Sequence, residues 1–316
     1  MGHQSISEAP CLIIEGETLD LKEFGSWRQW MPDSQWKVEI KNTIDEWYNS
    51  SDQIEVQTSG STGTPKKIVL HKKRMAQSAK ATSAHFGLQP GCKALLCLPS
   101  KFIAGKMMVI RALVNGWKLY GVEPSLNLHS SFDHDLDFAA MTPHQMSSCL
   151  SVNDDFGNSK LTIILGGAAV SDLLRDQIKR LQASVHETYG MTETITHVAT
   201  KVLNGLKSEE HFTCLPGIQF TLTSDNRLGF YGGHLEEAIE TNDLAEPVDM
   251  KSFVLKGRAD HVINSGGIKI HPSTLEKTLE KWLDVPYYIT SMPHSELGEQ
   301  VVLVLERAPL DHLAEQ

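Results

Sequence analysis

Thr58-Ser59-Gly60-Ser61-Thr62-Gly63-Thr64-Pro65-Lys66 is the stretch on which the reading of this chain turns. Hydroxyl residues and two glycines crowd into six positions, and Lys66 and Lys67 follow. Glycines let a backbone turn its N–H groups toward an anion, hydroxyls add donors, and lysine adds charge. A flexible linker has a similar composition. The flanks argue otherwise, because Ile54–Gln57 and Ile68–Leu70 are both strand-like, and a loop held between two strands is no linker. The loop is not a Walker A motif, since Lys66 follows Pro65 rather than Gly and no helix opens there. Nor is it a G-x-G-x-x-G dinucleotide fingerprint.

Outward from the loop, short apolar runs alternate with amphipathic ones. Ala94–Leu98, Lys118–Val122, Leu161–Leu165 and Ser184–Glu187 read as strands. Lys72–Phe86, Ala104–Asn115, Pro143–Leu150 and Ser171–Gln182 carry the i, i+3, i+4 spacing of helices. Gly87 and Gly116 stand where C-terminal caps belong, and Ser171 with Asp172 marks a helix start. Interleaved strands and helices predict a mostly parallel, doubly wound sheet covered on both faces. After about residue 215 the pattern changes. Ile218–Thr223 and Arg227–Tyr231 flank a Ser-Asp-Asn turn, Phe253–Lys256 is a short strand, and Pro272 opens a helix. The strands Tyr287–Met292 and Val301–Leu305 follow. The expected fold is α/β: a large doubly wound N-terminal domain with mixed sheets, residues 1–257, plus a small, partial α+β C-terminal domain, residues 258–316.

Composition sets outer bounds. The chain has 316 residues, 41 % hydrophobic and 22 % charged, with 29 Lys+Arg against 39 Asp+Glu and a net charge of −10. That balance disfavours a general nucleic-acid or anionic-membrane binder. Five cysteines, Cys11, Cys92, Cys97, Cys149 and Cys214, are an odd number without C-x-x-C spacing. This usage fits a reducing compartment. No secretory signal is visible, and no apolar run approaches the ~20 residues of a membrane span. A cytoplasmic location with no membrane span is the expectation. Asp133-His134-Asp135 with His129 has metal-ligand spacing, although alternating acids usually form a solvated face. His71-Lys72-Lys73-Arg74 could attract phosphates, yet a charged helix start is the commoner reading.

The loop matches, almost letter for letter, the phosphate loop of the adenylate-forming superfamily of acyl-CoA synthetases, peptide-synthetase adenylation domains and luciferases. Tyr189-Gly190-Met191-Thr192-Glu193 resembles a second superfamily motif. Leu165-Gly166-Gly167-Ala168-Ala169 resembles the Gly-Gly segment, although as a dipeptide it reads equally as a tight strand-to-helix turn. Gly257-Arg258-Ala259-Asp260-His261 through Gly267 resembles the hinge motif, with His261 where many members carry a second Asp. Thr241-Asn242-Asp243 resembles a Thr-Gly-Asp motif, with Asn242 in place of Gly. These matches stand in the superfamily's order.

The resemblance implies ATP, Mg²⁺ and coenzyme A as co-substrate. Thr58, Ser59, Gly60, Ser61, Thr62, Gly63 and Lys66 would hold the phosphates. Gly166, Gly167 and Ala168 would lie against adenine and the acyl group. Tyr189, beside Gly190, would stack on adenine, Thr192 would reach the α-phosphate, and Glu193 would hold magnesium, each role suiting its side chain. Asp243 and Arg258 would grip the ribose, and Asp260 would be the hinge. Thr192, Glu193 and Lys66 are the expected catalytic residues.

Within the superfamily, Phe102–Met108, Phe138–Gln145 and Tyr189–His197 resemble the o-succinylbenzoate–CoA ligases of menaquinone biosynthesis. Such an acid is a dianion and needs a cation at the far end of its pocket. Lys106 is the candidate, against the plain alternative of a solvated lysine, and Thr196, His197 and His144 are candidate lining residues. The implied partners are therefore a small carboxylic acid, ATP and CoA, and a homo-oligomer is compatible with them. The resemblance also implies a catalytic lysine near the end of the small domain in a Gly-Lys context. Lys269, Lys277 and Lys281 lie too early for that place, so the chain to Gln316 is expected to adenylate poorly while still able to run the thioester step. An aryl-acid CoA ligase and a catalytically silent nucleotide-binding protein are the alternatives.

Overall fold

The computed structural model describes residues 9–57, 67–153, 156–206, 208–280, 282–283 and 285–306. The chain forms two compact units, Met1–Phe220 with Phe230–Ile239, and Thr221–Gly229 with Glu240–Gln316. In the first lie β1 (Cys11–Ile14), β2 (Glu17–Asp20), α1 (Gln35–Tyr48), β3 (Gln53–Gln57), β4 (Lys67–His71), α2 (Lys72–Phe86) and β5 (Lys93–Leu96). Next come α3 (Ile103–Asn115), β6 (Lys118–Gly121), β7 (Phe138–Met141), α4 (Pro143–Val152), β8 (Thr162–Leu165) and α5 (Asp172–Ile178). The unit continues through β9 (Ser184–Gly190), β10 (His197–Val202) and β11 (Phe212–Cys214).

Nine of these strands make one sheet in the order β11-β10-β9-β8-β7-β5-β6-β1-β2. The run from β9 through β8, β7, β5 and β6 to β1 is parallel, while β2, β10 and β11 are antiparallel additions. The expected α/β sheet is thus present, and mixed. Both its faces are buried because neighbouring residues on a strand point to opposite sides. On β5, Ala94 and Leu96 join a core with Trp27 and Ile44, while Leu95 joins Met146 and Ile178 on the other face. The predicted αL caps occur at Gly87 (φ 68°) and Gly116 (φ 69°), and the Ser171 hydroxyl accepts the N–H of Leu174.

Two local readings are corrected. β9 runs on to Gly190 rather than stopping at Glu187, and β10 and β11 carry no strand signal in the sequence. The reason is visible in β10: His197, Val198, Ala199 and Thr200 are all buried, so polar and apolar residues alike are interior and no alternation marks a face.

The strands β12 (Ile218–Leu222) and β13 (Arg227–Gly232) take the chain into the second unit and back through a turn with Asn226 at φ 63°. That unit contains β14 (Ile239–Pro247) antiparallel to β15 (Ser252–Arg258). Its antiparallel four-stranded sheet has the order β17-β16-β19-β18, from β16 (Ile263–Ser265), β17 (Ile268–Ile270), β18 (Tyr287–His294) and β19 (Gly298–Leu305). The helix α6 (Pro272–Leu279) packs on β18, where the Tyr287 hydroxyl donates to the Glu276 carbonyl. Among the described residues no helix is long and apolar enough to cross a membrane.

Candidate functional site

The phosphate-loop candidates, Thr58 to Gly63 and Lys66, lie outside the described residues. Their frame does not: β3 and β4 are paired antiparallel with Gln57 opposite Lys67, so the loop leaves and re-enters at facing residues of a hairpin. Beneath it, Ile54, Val56 and Leu70 pack with Met75 and Ala79 of α2.

At the carboxyl end of the parallel strands, β8 delivers Gly166, Gly167 and Ala168, and β9 delivers Tyr189 and Gly190. Gly167 has φ +87°, and a Cβ on Gly166 would stand 2.7 Å from Thr188 Oγ1. The Thr188 hydroxyl donates to the Leu165 carbonyl, which ties the base of this loop to β9. The Glu187 carboxylate holds its far side, Oε1 accepting the N–H of Val170 at 3.2 Å. Its other oxygen forms an ion pair with Lys201 at 2.6 Å, off the hydrogen-bonding direction. Lys201 lies over the Phe212 ring at 4.7 Å, and Phe212 meets Tyr189 edge-on at 6.0 Å. Tyr189 is therefore set in an aromatic wall completed by Phe230 at 5.4 Å.

The chain reverses after Gly190 through a tight turn. Thr194 is fully buried, and its Oγ1 takes the Met191 N–H at 2.9 Å and lies 2.7 Å from the Thr196 carbonyl. Ile195 has φ +68°, a left-handed conformation that a β-branched residue adopts at a cost of about 1–3 kcal/mol. Its side chain is buried among Met107 and Ile110, which offsets that strain. The turn leaves Glu193 exposed and Thr192 half-buried. Among the described residues no ion pair or hydrogen bond engages the Glu193 carboxylate, and an uncommitted hard oxygen donor fits a magnesium ion.

Gly190 has a packing reason. A Cβ there would lie 2.4 Å from the Thr196 carbonyl oxygen and 2.6 Å from His197 Cα, both backbone. Gly190→Ala is expected to push β10 away and lower stability by about 1–3 kcal/mol. Chemical denaturation checks it, and an unchanged midpoint contradicts it.

Lys106 is buried and forms an ion pair with Glu46 of α1, so it is neither a solvated lysine nor an unpaired cation. A second buried cation on this helix, which sequence reading did not single out, is Arg111. It stands five residues along α3, roughly 140° around a helix of 3.6 residues per turn, and faces β10 instead of α1. Arg111 is 1 % exposed. Its Nη2 donates to Thr196 Oγ1 at 3.0 Å and Nη1 reaches Met108 Sδ at 3.5 Å. Nε is buried with no partner among the described residues. Burial holds the guanidinium down at about 10, still charged at neutral pH. The available signal was one arginine inside the apolar run Met107–Val114.

Thr196 and His197 are brought together with Arg111, while His144 is exposed on the first turn of α4, outside this hydrogen-bonded set. Four histidines cluster here, His197 and His234 buried and His85 and His186 half-buried. Burial is the largest cause in each: His85 and His234 are lowered, His186 falls to about 4, and His197 lies well below its ordinary value, with Arg111 adding to the effect. Unfolded histidines titrate near 6.5. The unfolded chain therefore binds more protons as pH falls, and stability, full above about pH 6.5, is lost toward pH 4. Between pH 6.5 and 5, above most carboxylate titration, the expected loss from His186 alone is roughly 2 kcal/mol. Denaturation midpoints across that window check it, and a flat profile contradicts it.

In the second unit Asp243, Arg258 and Asp260 come together. Asp243 faces Arg258 across the β14–β15 ladder, with Oδ1 and Nη1 3.8 Å apart. Arg258 makes a two-pronged contact with Asp260, at 2.9 and 2.8 Å. This contact holds the Asp260 carboxyl below the usual carboxylate range. On β14 the Thr241 hydroxyl accepts the Asp243 N–H and donates to the Leu228 carbonyl. Arg258 also lines a cavity of about 430 Å³ with His261, His271, Glu276 and Tyr288.

A family of nucleotide-using enzymes is what this ordered set of loops defines, and residues 25–225 match the family described as AMP-binding enzyme. The chain belongs to that family. Its relatives include the 2-succinylbenzoate–CoA ligase of Bacillus licheniformis, 26 % identical over 253 residues, covering 70 % of this chain and 53 % of that protein. A solved structure, the acyl-CoA synthetase (AMP-forming)/AMP-acid ligase II-like protein from Dyadobacter fermentans, is 34 % identical with a TM-score of 0.67. That match covers 90 % of this chain and 84 % of that one. The o-succinylbenzoate CoA synthetase from Bacillus subtilis in complex with its acyl-adenylate intermediate shares the fold, with 20 % identity and a TM-score of 0.70 over 81 % and 60 % of the two chains. The chain spans about half the length of several curated relatives that it matches.

Proposed function

We propose that this protein activates a carboxylic acid as its acyl-adenylate and passes the acyl group to coenzyme A, and that the acid carries a second carboxylate, with o-succinylbenzoate the candidate. The observation that carries the substrate reading is Arg111, a buried cation with an unpartnered Nε and no carboxylate beside it among the described residues. A buried charge is costly unless paired, and an incoming carboxylate supplies the pair. In this reading the role first given to Lys106 passes to Arg111, with Thr196 and His197 beside it. The names of relatives about 25 % identical point to the same acid.

The remaining roles follow the motifs. Thr58, Ser59, Gly60, Ser61, Thr62, Gly63 and Lys66 bind phosphates. Gly166, Gly167 and Ala168 admit the nucleotide close to backbone, Tyr189 offers its face to adenine, and Gly190 lets the Thr192 turn close. Asp243 and Arg258 bind ribose hydroxyls. Asp260 is the hinge, and the functional boundary falls at 257/258. Magnesium held by Glu193 would neutralise phosphate charge. In the first step a carboxylate oxygen attacks the α-phosphorus and the bond to pyrophosphate breaks, the Thr192 hydroxyl donating to the phosphoryl oxygen where charge grows. In the second the CoA sulfur, as thiolate, attacks the acyl carbon and AMP leaves.

Acid-dependent pyrophosphate release from ATP, with o-succinylbenzoate set against benzoate, salicylate and medium-chain fatty acids, tests this. A second arm measures AMP release from supplied acyl-adenylate and CoA. Preference for o-succinylbenzoate in either arm is the expected result. Preference for benzoate would make the protein an aryl-acid CoA ligase. ATP binding with neither reaction would make it a silent nucleotide-binding protein.

A further inference from the structure

We propose that Thr82 and His197 are positioning residues that act through the hydroxyl of Thr196 to keep Arg111 aimed at the second carboxylate of the substrate, and so set selectivity for diacids. This rests on the reading of Arg111 given above. Thr82 is fully buried on α2, one turn beyond Ser78, and its Oγ1 lies 3.1 Å from the Ser78 carbonyl oxygen. A carbonyl only accepts, so the single hydroxyl proton of Thr82 goes there. The same Oγ1 lies 3.4 Å from His197 Nε2, which must therefore be the donor. His197 is buried and held neutral, with Arg111, His85, His186 and His234 the titratable groups that bear on it. A neutral imidazole with its proton on Nε2 accepts at Nδ1.

Thr196 Oγ1 lies 3.3 Å from that Nδ1, so its proton points to His197. Its lone pairs are then left for Arg111 Nη2 at 3.0 Å. Each of these four contacts then has one donor and one acceptor, running in one direction from Arg111 to the Ser78 carbonyl. The opposite tautomer would place two donors on Thr196 Oγ1 and strand its proton. With Nη2 anchored, the Nε N–H, which has no partner among the described residues, is held ready for a ligand. Thr82 and His197 would thus fix which edge of Arg111 a carboxylate meets, and an acid lacking that group would not register their loss.

The test uses the full chain. Nitrogen-15 labelling of histidine reads the tautomer, and guanidinium spectra read the Arg111 Nε signal. The wild-type protein should show His197 protonated on Nε2 at neutral pH. In Thr82→Val the tautomers should mix and the Arg111 signal broaden, and Thr82→Ser should restore both. In pyrophosphate release, Thr82→Val should raise KM for o-succinylbenzoate about tenfold, the scale of one net hydrogen bond. Its kcat, KM for ATP and KM for benzoate should hold, and Thr82→Ser should recover the loss. A proton on Nδ1 in the wild type overturns the proposal, as does a KM rise shared by both acids or an unmoved KM. A wild type without dicarboxylate dependence sinks the substrate reading instead. In that case the tautomer and the Arg111 signal decide the positioning chain by themselves.

Discussion

Arg111→Met is expected to make the ligand-free protein as stable as the wild type or more so, while abolishing its use of a dicarboxylate at ordinary concentrations. The two effects have one cause. The guanidinium is 1 % exposed and, among the described residues, meets only a hydroxyl and a thioether and leaves Nε unsatisfied. Methionine fills a similar volume among Met107, Met108 and Ile110 without that desolvation cost, and removing an uncompensated buried charge is neutral or stabilising by about 1–3 kcal/mol. With the acid bound the balance reverses, because its second carboxylate would then be buried without a partner at a cost of about 3–5 kcal/mol. KM for o-succinylbenzoate should rise by about 10²–10³-fold, with KM for benzoate unchanged. Denaturation midpoints and paired kinetics read both arms. A variant that loses stability but keeps its KM would make Arg111 a structural residue. Opposed effects of this kind are the usual mark of a residue kept for function.

Glu193→Gln is expected to lower acid-dependent pyrophosphate release by about 10²-fold or more, the scale of removing one charge-stabilising group from a transition state. Stability should not move, since Glu193 is exposed and no contact among the described residues uses its carboxylate. The amide is nearly isosteric but is a weaker ligand for a hard cation. Raised magnesium should recover part of the rate in the variant and none in the wild type at saturation. Full pyrophosphate release by the variant would remove Glu193 from the metal site. The neighbouring turn makes the control informative: Thr194, Ile195 and Gly190 carry the packing, so a substitution at Glu193 reports on chemistry alone.

Much of the fold was legible in local pattern. Lys72–Phe86 shows helical spacing and a glycine cap, and the helix occupies that span. The β5, β7 and β8 strands are apolar on both faces because they are buried on both faces. Elements without alternation escaped: β10 buries His197 and Thr200 beside Val198 and Ala199, and its existence depends on pairing with β9. Lys106 and Arg111 show the same limit in the site. Both are cations on one apolar helix, and nothing in α3 itself tells them apart. Only Glu46, from α1, and Thr196, just before β10, give one a carboxylate partner and leave the other without one among the described residues.

By itself, then, the sequence determined the family and the order of its motifs, because glycines, hydroxyls and acids at fixed spacing answer to backbone geometry a few residues away. The tertiary structure alone decided that Lys106 has a carboxylate partner, and that Arg111 is buried against Thr196 with no carboxylate beside it among the described residues. Those properties depend on desolvation and on hydrogen-bond partners 60 residues or more distant along the chain, and no local spacing encodes them.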